Sequence, residues 1–159
     1  MAVITIYLNT DRPLQPYIDG QQLTAAISTH LSIDIVAHPE AVADWAFALG
    51  NQDLDVLEQE RDTDDGETSF LVACLYRLFG NRSMSVGDVV HIQHRQRQWW
   101  LACDPTGWRH INEPVHRSGP GPATDQVFQL LHAVRQPALS AAPHLTPIPP
   151  AIPTSAVDV

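Results

Sequence analysis

The chain has 159 residues, of which 44% are hydrophobic and 17% charged, and its formal net charge is −9 at pH 7. This size and composition are typical of one globular domain with a tail, and they exclude a mainly disordered chain. The longest apolar runs fall far short of the ~20 residues that span a bilayer, and Met1 to Pro13 lacks the features of a secretory signal. We therefore expect a cytoplasmic protein with no membrane segment.

Two strands are predicted at the start of the chain. Ala2 to Leu8 is apolar at successive positions, which is typical of a central strand covered on both faces. Leu23 to Ile35 alternates between apolar and polar residues, as expected for a strand with one face on the core. Thirteen residues is long for one strand, so we expect a bend or bulge near Ser28 to His30.

A first helix is predicted from Pro39, which suits the first helical position, to Gly50-Asn51. Its apolar stripe consists of Val42, Trp45, Ala46 and Leu49. One further helical turn is expected through Leu54 and Leu57, followed by a solvated loop from Asp62 to Gly66.

A second helix is predicted from Phe70 to Phe79, capped by Thr68 or Ser69 and ended by Gly80. Its predicted buried face consists of Leu71, Cys74, Leu75 and Leu78.

An antiparallel meander is expected next. Val86 to Gln93 is rich in branched residues, His94 to Arg97 is a polar break, and Gln98 to Asp104 returns as a strand. Asp104 to Gly107 has the residues of a type I turn, so a third short strand should follow it.

The last part of the chain differs in character. Gly119 to Pro122 is interpreted as a linker, and Thr124 as the cap of a third helix that ends before Pro137. Its apolar stripe consists of Val127, Leu130, Leu131 and Val134. Pro137 to Val159 contains six prolines and one charge and is expected to be a flexible or polyproline-like tail.

These elements predict an α+β fold: a small mixed or antiparallel sheet of about five strands, with two or three packed helices and a proline-rich tail. The expected organisation is a folded domain over residues 1–117, a linker and helix over 118–136, and the tail over 137–159.

A nine-residue segment, Arg82-Ser-Met-Ser-Val-Gly-Asp-Val-Val90, is followed by Trp100-Leu-Ala-Cys-Asp104 and by Gly107-Trp108. Together with the helical segment Val42 to Asn51, these motifs resemble the YodL-like domain and related small proteins of bacterial plasmids and mobile elements. Met84 stands where that signature usually has Leu. The resemblance implies an accessory factor that meets host machinery, for example in countering host defence.

The signature also has a local physical explanation. Ser83 and Ser85 can bond turn amides, Gly87 permits a close backbone approach, and Asp88 can cap amides where the strand begins. These features favour a structural corner over a ligand site.

Catalysis and metal binding have little support in the sequence. Cys74 or Cys103 could meet one of His91, His94 and His110 and a carboxylate of Asp88 or Asp104, but no known local motif surrounds them. Free, buried thiols are favoured over a disulfide. His91 and His94 are three residues apart, which on a strand puts them on opposite faces. We expect no enzyme activity, cofactor or metal.

One candidate binding surface is aromatic and basic. It consists of Arg95, Arg97, Trp99, Trp100, Trp108 and Arg109. Aromatic platforms beside Arg are typical of single-stranded nucleic-acid grooves. The acidity of the chain opposes this alternative, because binding to a polyanion depends on positive charge.

The other candidate is acidic. Asp53 to Glu67 holds eight acidic residues and one Arg, and the expected partner-facing side chains are Asp62, Asp64, Asp65 and Glu67. An acidic loop can imitate a phosphate backbone and occupy a basic groove. The sequence thus favours a non-enzymatic interaction protein with a protein partner, and single-stranded nucleic-acid binding is the alternative.

Overall fold

A computed structural model describes residues 1–32 and 38–135. The elements are β1 (Ala2–Asn9), β2 (Leu23–Leu31), α1 (Pro39–Asn51), α2 (Leu54–Gln59), α3 (Gly66–Leu78), β3 (Val89–His94), β4 (Arg97–Asp104), β5 (Gly107–His110) and α4 (Thr124–Arg135). The predicted α+β class is confirmed. The predicted tail, and the end of the long second strand at Ile35, lie outside the described residues.

One five-stranded sheet forms the centre of the fold, in the order β2-β1-β3-β4-β5, with every neighbouring pair antiparallel. Its alternating side chains supply two apolar clusters. The larger cluster joins one sheet face to the helices through residues that include Ile4, Ile92, Leu101, Ala46 and Val72. The smaller cluster lies on the opposite face and consists of Tyr7, Tyr17, Leu23, Val89, Trp100 and Ala102.

A bulge at Ala26 divides β2 into two phases. Ile6 pairs with Ile27 and Tyr7 with Ala25, so Ala26 has no partner opposite it. Leu23 therefore faces the smaller cluster, whereas Ile27 belongs to the larger one. The bulge was predicted near Ser28 to His30, and that position was wrong. One inserted residue reverses the side-chain alternation wherever it falls, so the alternation does not locate the bulge.

α1 begins at Pro39, as predicted, and ends against α3. Arg77 of α3 donates to the carbonyl oxygens of Leu49, at 2.9 Å, and of Gln52. A guanidinium group beside carbonyls at a helix end complements both their unpaired oxygens and the helix dipole.

α3 differs from the prediction in both start and orientation. It begins at Gly66, earlier than Phe70, and its buried residues are Gly66, Val72, Ala73, Leu75 and Tyr76. Leu78, expected on the core face, is 78% exposed. α3 packs on α1 through a face rotated away from the predicted stripe, of which Leu75 is the one buried member.

The meander has tighter turns than expected. His94 pairs with Arg97, so the first hairpin has a two-residue turn with Arg95 at φ 56°. The predicted four-residue break and the strand start at Val86 were wrong. The reversal predicted at Asp104 to Gly107 is confirmed by the pairing of these two residues.

Residues 116–122, which include the segment interpreted as a linker, lie along the outer edge of β2. Leu23 N–H donates to His116 O at 3.0 Å, and Ser28 N–H donates to Pro122 O at 2.9 Å. These bonds satisfy backbone groups of an edge strand that would otherwise be open.

α4 then docks beside β2 through Val127 and Phe128, which pack on the larger cluster. Leu130 and Leu131, predicted in its buried stripe, are exposed. Within the described ranges, no helix is long and apolar enough to cross a membrane.

Candidate functional site

The signature segment folds into a corner around a buried carboxylate. Asp88 is fully buried and accepts hydrogen bonds from the backbone N–H groups of Asn9 and Ser85, both at 2.8 Å. Arg82 donates to both of its oxygens at 2.7 Å. The predicted capping by Asp88 is confirmed, and every contact of its side chain is internal to the fold.

Gly87 completes this corner through its close approach to another loop. Its φ is +95°, and a Cβ there would lie 2.1 Å from the carbonyl oxygen of Gln15. Only glycine fits, because it has no Cβ and adopts positive φ readily.

The tryptophans of the aromatic and basic candidate lie on both faces of the sheet. Trp99 and Trp108 pack, partly buried, on the helix-side cluster. The Trp108 Nε1–H donates to Asp44 Oδ1 of α1 at 2.7 Å, and its ring meets Phe47 edge-on. Both rings are therefore engaged in contacts within the fold.

Trp100 lies on the opposite face and is 5% exposed. His91 stacks on it with ring centroids 3.9 Å apart, and the Arg117 guanidinium carbon lies 5.2 Å from its ring centroid. Tyr7 packs beside it at 5.6 Å. Burial lowers the pKa of His91, which favours its neutral form at pH 7.

The arginines of the same candidate surface also lie apart from one another. Arg109 donates to Asp104 Oδ2 and to the carbonyl oxygen of Tyr17, both at 2.8 Å, so it is held on the sheet face away from the helices. Arg95 and Arg97 remain exposed at the hairpin tip. The structure thus does not bring the six residues onto one surface.

The acidic candidate, in contrast, is continuous. We use the term acidic surface for residues 53–67, which comprise Asp53, α2, the loop that follows it and the first two residues of α3. Its eight carboxylate residues are all exposed. Arg61 is the one basic residue in this stretch, and it pairs with Glu67 at 2.5 and 2.9 Å. That pairing lowers the pKa of Glu67.

The loop of the acidic surface is held in one conformation by internal bonds. Thr63 Oγ1 donates to Glu60 O at 2.6 Å, and Gly66 N–H donates to Thr63 O at 3.0 Å. A Cβ at Gly66 would lie 1.9 Å from Glu60 O, and Asp65 has a φ of 61°. The predicted solvated loop is exposed, and its backbone is folded into a turn.

A cleft of about 330 Å³ opens beside these carboxylates. Its lining residues include the apolar Trp45, Leu49 and Leu57 and the acidic Glu60, Asp64 and Asp65. Trp45 Nε1–H donates to Ser69 Oγ at 3.0 Å, and Ser69 Oγ donates to Asp65 O at 2.9 Å, which links α1 to the loop. Sequence reasoning assigned Trp45 to the core and Ser69 to a cap, because only the packing of α3 on α1 brings them to the carboxylates.

The two thiols are separate and free, as predicted. Cys103 is buried and Cys74 half-buried. Burial raises the pKa of Cys103 to about 11, which favours the less nucleophilic protonated thiol. Between residues 1–32 and 38–135, neither thiol is hydrogen-bonded to an imidazole, and no group of three or more His, Cys, Asp or Glu side chains is placed to hold a metal.

No protein-family model, curated protein or solved structure matches this chain. The resemblance to the YodL-like domain therefore stays a prediction from the signature motifs.

Proposed function

We propose that the chain is a non-enzymatic interaction protein whose acidic surface captures a protein partner through a basic, nucleic-acid-binding region of that partner. The observation that carries this proposal is the exposure of eight carboxylate residues on one folded unit, with a single Arg among them. A high density of fixed negative charge steers encounter with a basic partner and complements its surface.

The shape of the acidic surface supports the same proposal. Because Gly66 and Thr63 hold the loop, its backbone needs little ordering when a partner binds, and less ordering costs less binding free energy. Trp45, Asp64 and Asp65 line the adjacent cleft. An Arg or Lys side chain suits this lining, because its hydrocarbon stem can pack on the indole while its charged head meets the carboxylates.

The nucleic-acid alternative has less support from the geometry. A stacking groove needs several exposed rings on one face, whereas Trp100 and Trp108 lie on opposite faces and are held by internal contacts. The family resemblance adds a biological setting, in which a mobile element carries an inhibitor that occupies the nucleic-acid groove of a host defence protein.

Capture from a nuclease-treated bacterial lysate tests this function. The immobilised chain should retain a partner that moderate salt releases, because exposed charge pairs are screened by salt. The variant D62N/D64N/D65N/E67Q should lose that partner. D62N/D64N should weaken capture, whereas D11N/D19N changes the net charge equally on another part of the surface and should leave capture unchanged.

The inhibitory role is tested on the captured partner. Once purified, it should lose binding to nucleic acid when the wild-type chain is added, and it should keep binding when the four-site variant is added. Undiminished capture by the four-site variant, or equal loss with D11N/D19N, would refute the proposed surface.

A further inference from the structure

The two edges of the sheet differ in how their backbone groups are satisfied. Residues 116–122 cover the outer edge of β2 by bonding to its backbone. β5 forms the other edge of the sheet, and within the described ranges no segment pairs with its outer side. An uncovered edge strand can pair with a further strand.

The backbone groups of Trp108 and His110 form this open edge. In an antiparallel pair, successive residues direct their N–H and C=O groups alternately toward the partner strand and away from it. Ile111 N–H donates to Trp100 O of β4 at 2.9 Å, so the odd-numbered positions of β5 face β4. In residues 1–32 and 38–135, no group bonds to the outward N–H and C=O groups of Trp108 and His110.

The charged side chains of β5 do not close the edge. Such side chains often discourage pairing at an edge strand, but here they are engaged within the fold. Arg109 donates to Asp104 Oδ2 at 2.8 Å, and His110 Nε2 lies 2.6 Å from Glu40 Oε1. Because adjacent residues of a strand lie on opposite faces, these two pairs flank the backbone and leave its outer groups accessible.

The surroundings of the open edge are acidic. A groove of about 320 Å³ lies beside β5 and is lined by Asp19, Arg109, His110, Ile111 and Asn112. On the helix side, Glu40 and Asp44 are exposed, and each uses one carboxylate oxygen to bond a β5 side chain. The Arg109 guanidinium offsets one carboxylate, that of Asp104. A basic strand therefore complements the remaining charge.

We propose that β5 accepts an extended, basic peptide segment of another protein as a sixth strand of the sheet. The backbone of the peptide bonds to the outward groups of Trp108 and His110, and its Arg or Lys side chains lie beside Asp19, Glu40 and Asp44. In strand addition, main-chain bonds supply affinity and the alternating side chains supply specificity. This site is separate from the acidic surface and does not rest on the function proposed for that surface.

Amide hydrogen exchange followed by NMR tests the proposal on the full chain. The probe is a short acetylated peptide of alternating Arg and Val. At saturating peptide, the amides of Trp108 and His110 should exchange at least about tenfold more slowly, whereas Arg109, whose amide faces β4, should change little. Two control peptides should give no protection: one of alternating Glu and Val, and the basic peptide with every amide N-methylated, which keeps the charge but has no N–H donor.

Two substitutions at one position separate the backbone from the side chain. H110P removes an N–H that β4 does not use, and proline is tolerated on an edge strand whose N–H faces solvent. It should weaken peptide binding at least about tenfold, because the donor is lost and the ring occupies the edge. H110A loses the same ion pair with Glu40 but keeps the amide, so it should bind at least as tightly as the wild type.

A charge variant tests the choice of a basic partner. D44N keeps an oxygen that can accept from Trp108 and should weaken binding about threefold, the scale of one exposed charge pair. D62N makes the same charge change on the acidic surface and should have no effect.

The exchange data on the wild type decide the proposal even if H110P fails to fold. Unchanged exchange at Trp108 and His110, equal protection by the acidic peptide, or equal binding by H110P and H110A would overturn it. Protection that rises with the concentration of the chain alone would assign the edge to a second copy and would also overturn it.

Discussion

Arg82 and Asp88 form a two-pronged ion pair in which both guanidinium terminal nitrogens lie 2.7 Å from a carboxylate oxygen. The carboxylate is fully buried, and it also accepts the backbone N–H groups of Asn9 and Ser85. One side chain thereby joins the end of β1, the signature turn and the start of β3. Because all three segments depend on this side chain, we expect Asp88 to be the position of the corner at which substitution lowers stability most.

Replacing Asp88 tests that role. D88A should lower the free energy of unfolding by about 3 kcal/mol, since it breaks a partly buried ion pair and leaves two amide groups without an acceptor. R95A, which removes an exposed Arg at the hairpin tip, should change it by less than about 0.5 kcal/mol. Urea titration followed by tryptophan fluorescence measures both, and similar values for the two variants would contradict the role given to Asp88.

Two glycine substitutions distinguish steric from conformational constraint. G66A should cost about 3 kcal/mol, near the upper end of the usual range for one substitution, because the new Cβ would meet Glu60 O at 1.9 Å. G80A should cost only about 1 kcal/mol, the penalty of a left-handed conformation, because nothing lies within 4 Å of its Cβ.

The same unfolding measurement checks both glycines. If G66A and G80A lose equal free energy of unfolding, the loop of the acidic surface can relax, and the argument that its backbone is held in place fails.

The order and class of the elements were predictable because they depend on local signals. Pro39 begins α1 and the Asp104 to Gly107 turn reverses the chain, as expected. Each signal lies within a few residues of the structure that it directs, so packing elsewhere does not alter it.

The errors came from residues whose environment is set by distant contacts. Ala26 forms a bulge opposite β1, and Leu78 is exposed because α3 packs on α1 through another face. The same dependence hid the candidate site: Trp45 and Ser69 are 24 positions apart and meet only in the folded chain. A single sequence gives the types of these two residues, but it does not show that they are in contact.

The reactivity of Cys103 offers a check on the proposal that the protein is not an enzyme. In a C74S variant, Cys103 should resist a thiol-reactive disulfide reagent at about pH 8, where a group with a pKa of about 11 is mostly protonated. Labelling should become rapid only after denaturation. Prompt labelling of the folded variant would indicate an activated thiol and reopen the question of catalysis.

His91 should make stability depend on pH. Burial lowers its pKa in the folded chain below the usual 6.5, so the unfolded chain binds the proton first as pH falls. The contribution of the neutral ring is therefore present above about pH 6.5 and is lost as pH falls below that value. The neighbours that face this ring are Trp100, Gln98, Glu113 and Arg117.

Unfolding titrations at about pH 7.5 and 5.5, on either side of the usual histidine pKa, measure this effect. H91Q should lose less stability between the two values than the wild type does. H38Q removes an exposed imidazole and serves as the control. If H91Q loses as much stability between the two pH values as the wild type does, the pH dependence of stability belongs to another group.

The most direct test of the proposed function is an NMR map of the chain titrated with its captured partner. The backbone amides of residues 53–67 and the Trp45 indole should shift, and the Arg95 to Arg97 tip should not. Shifts confined to that tip and to Trp99, with the acidic surface unchanged, would contradict the account.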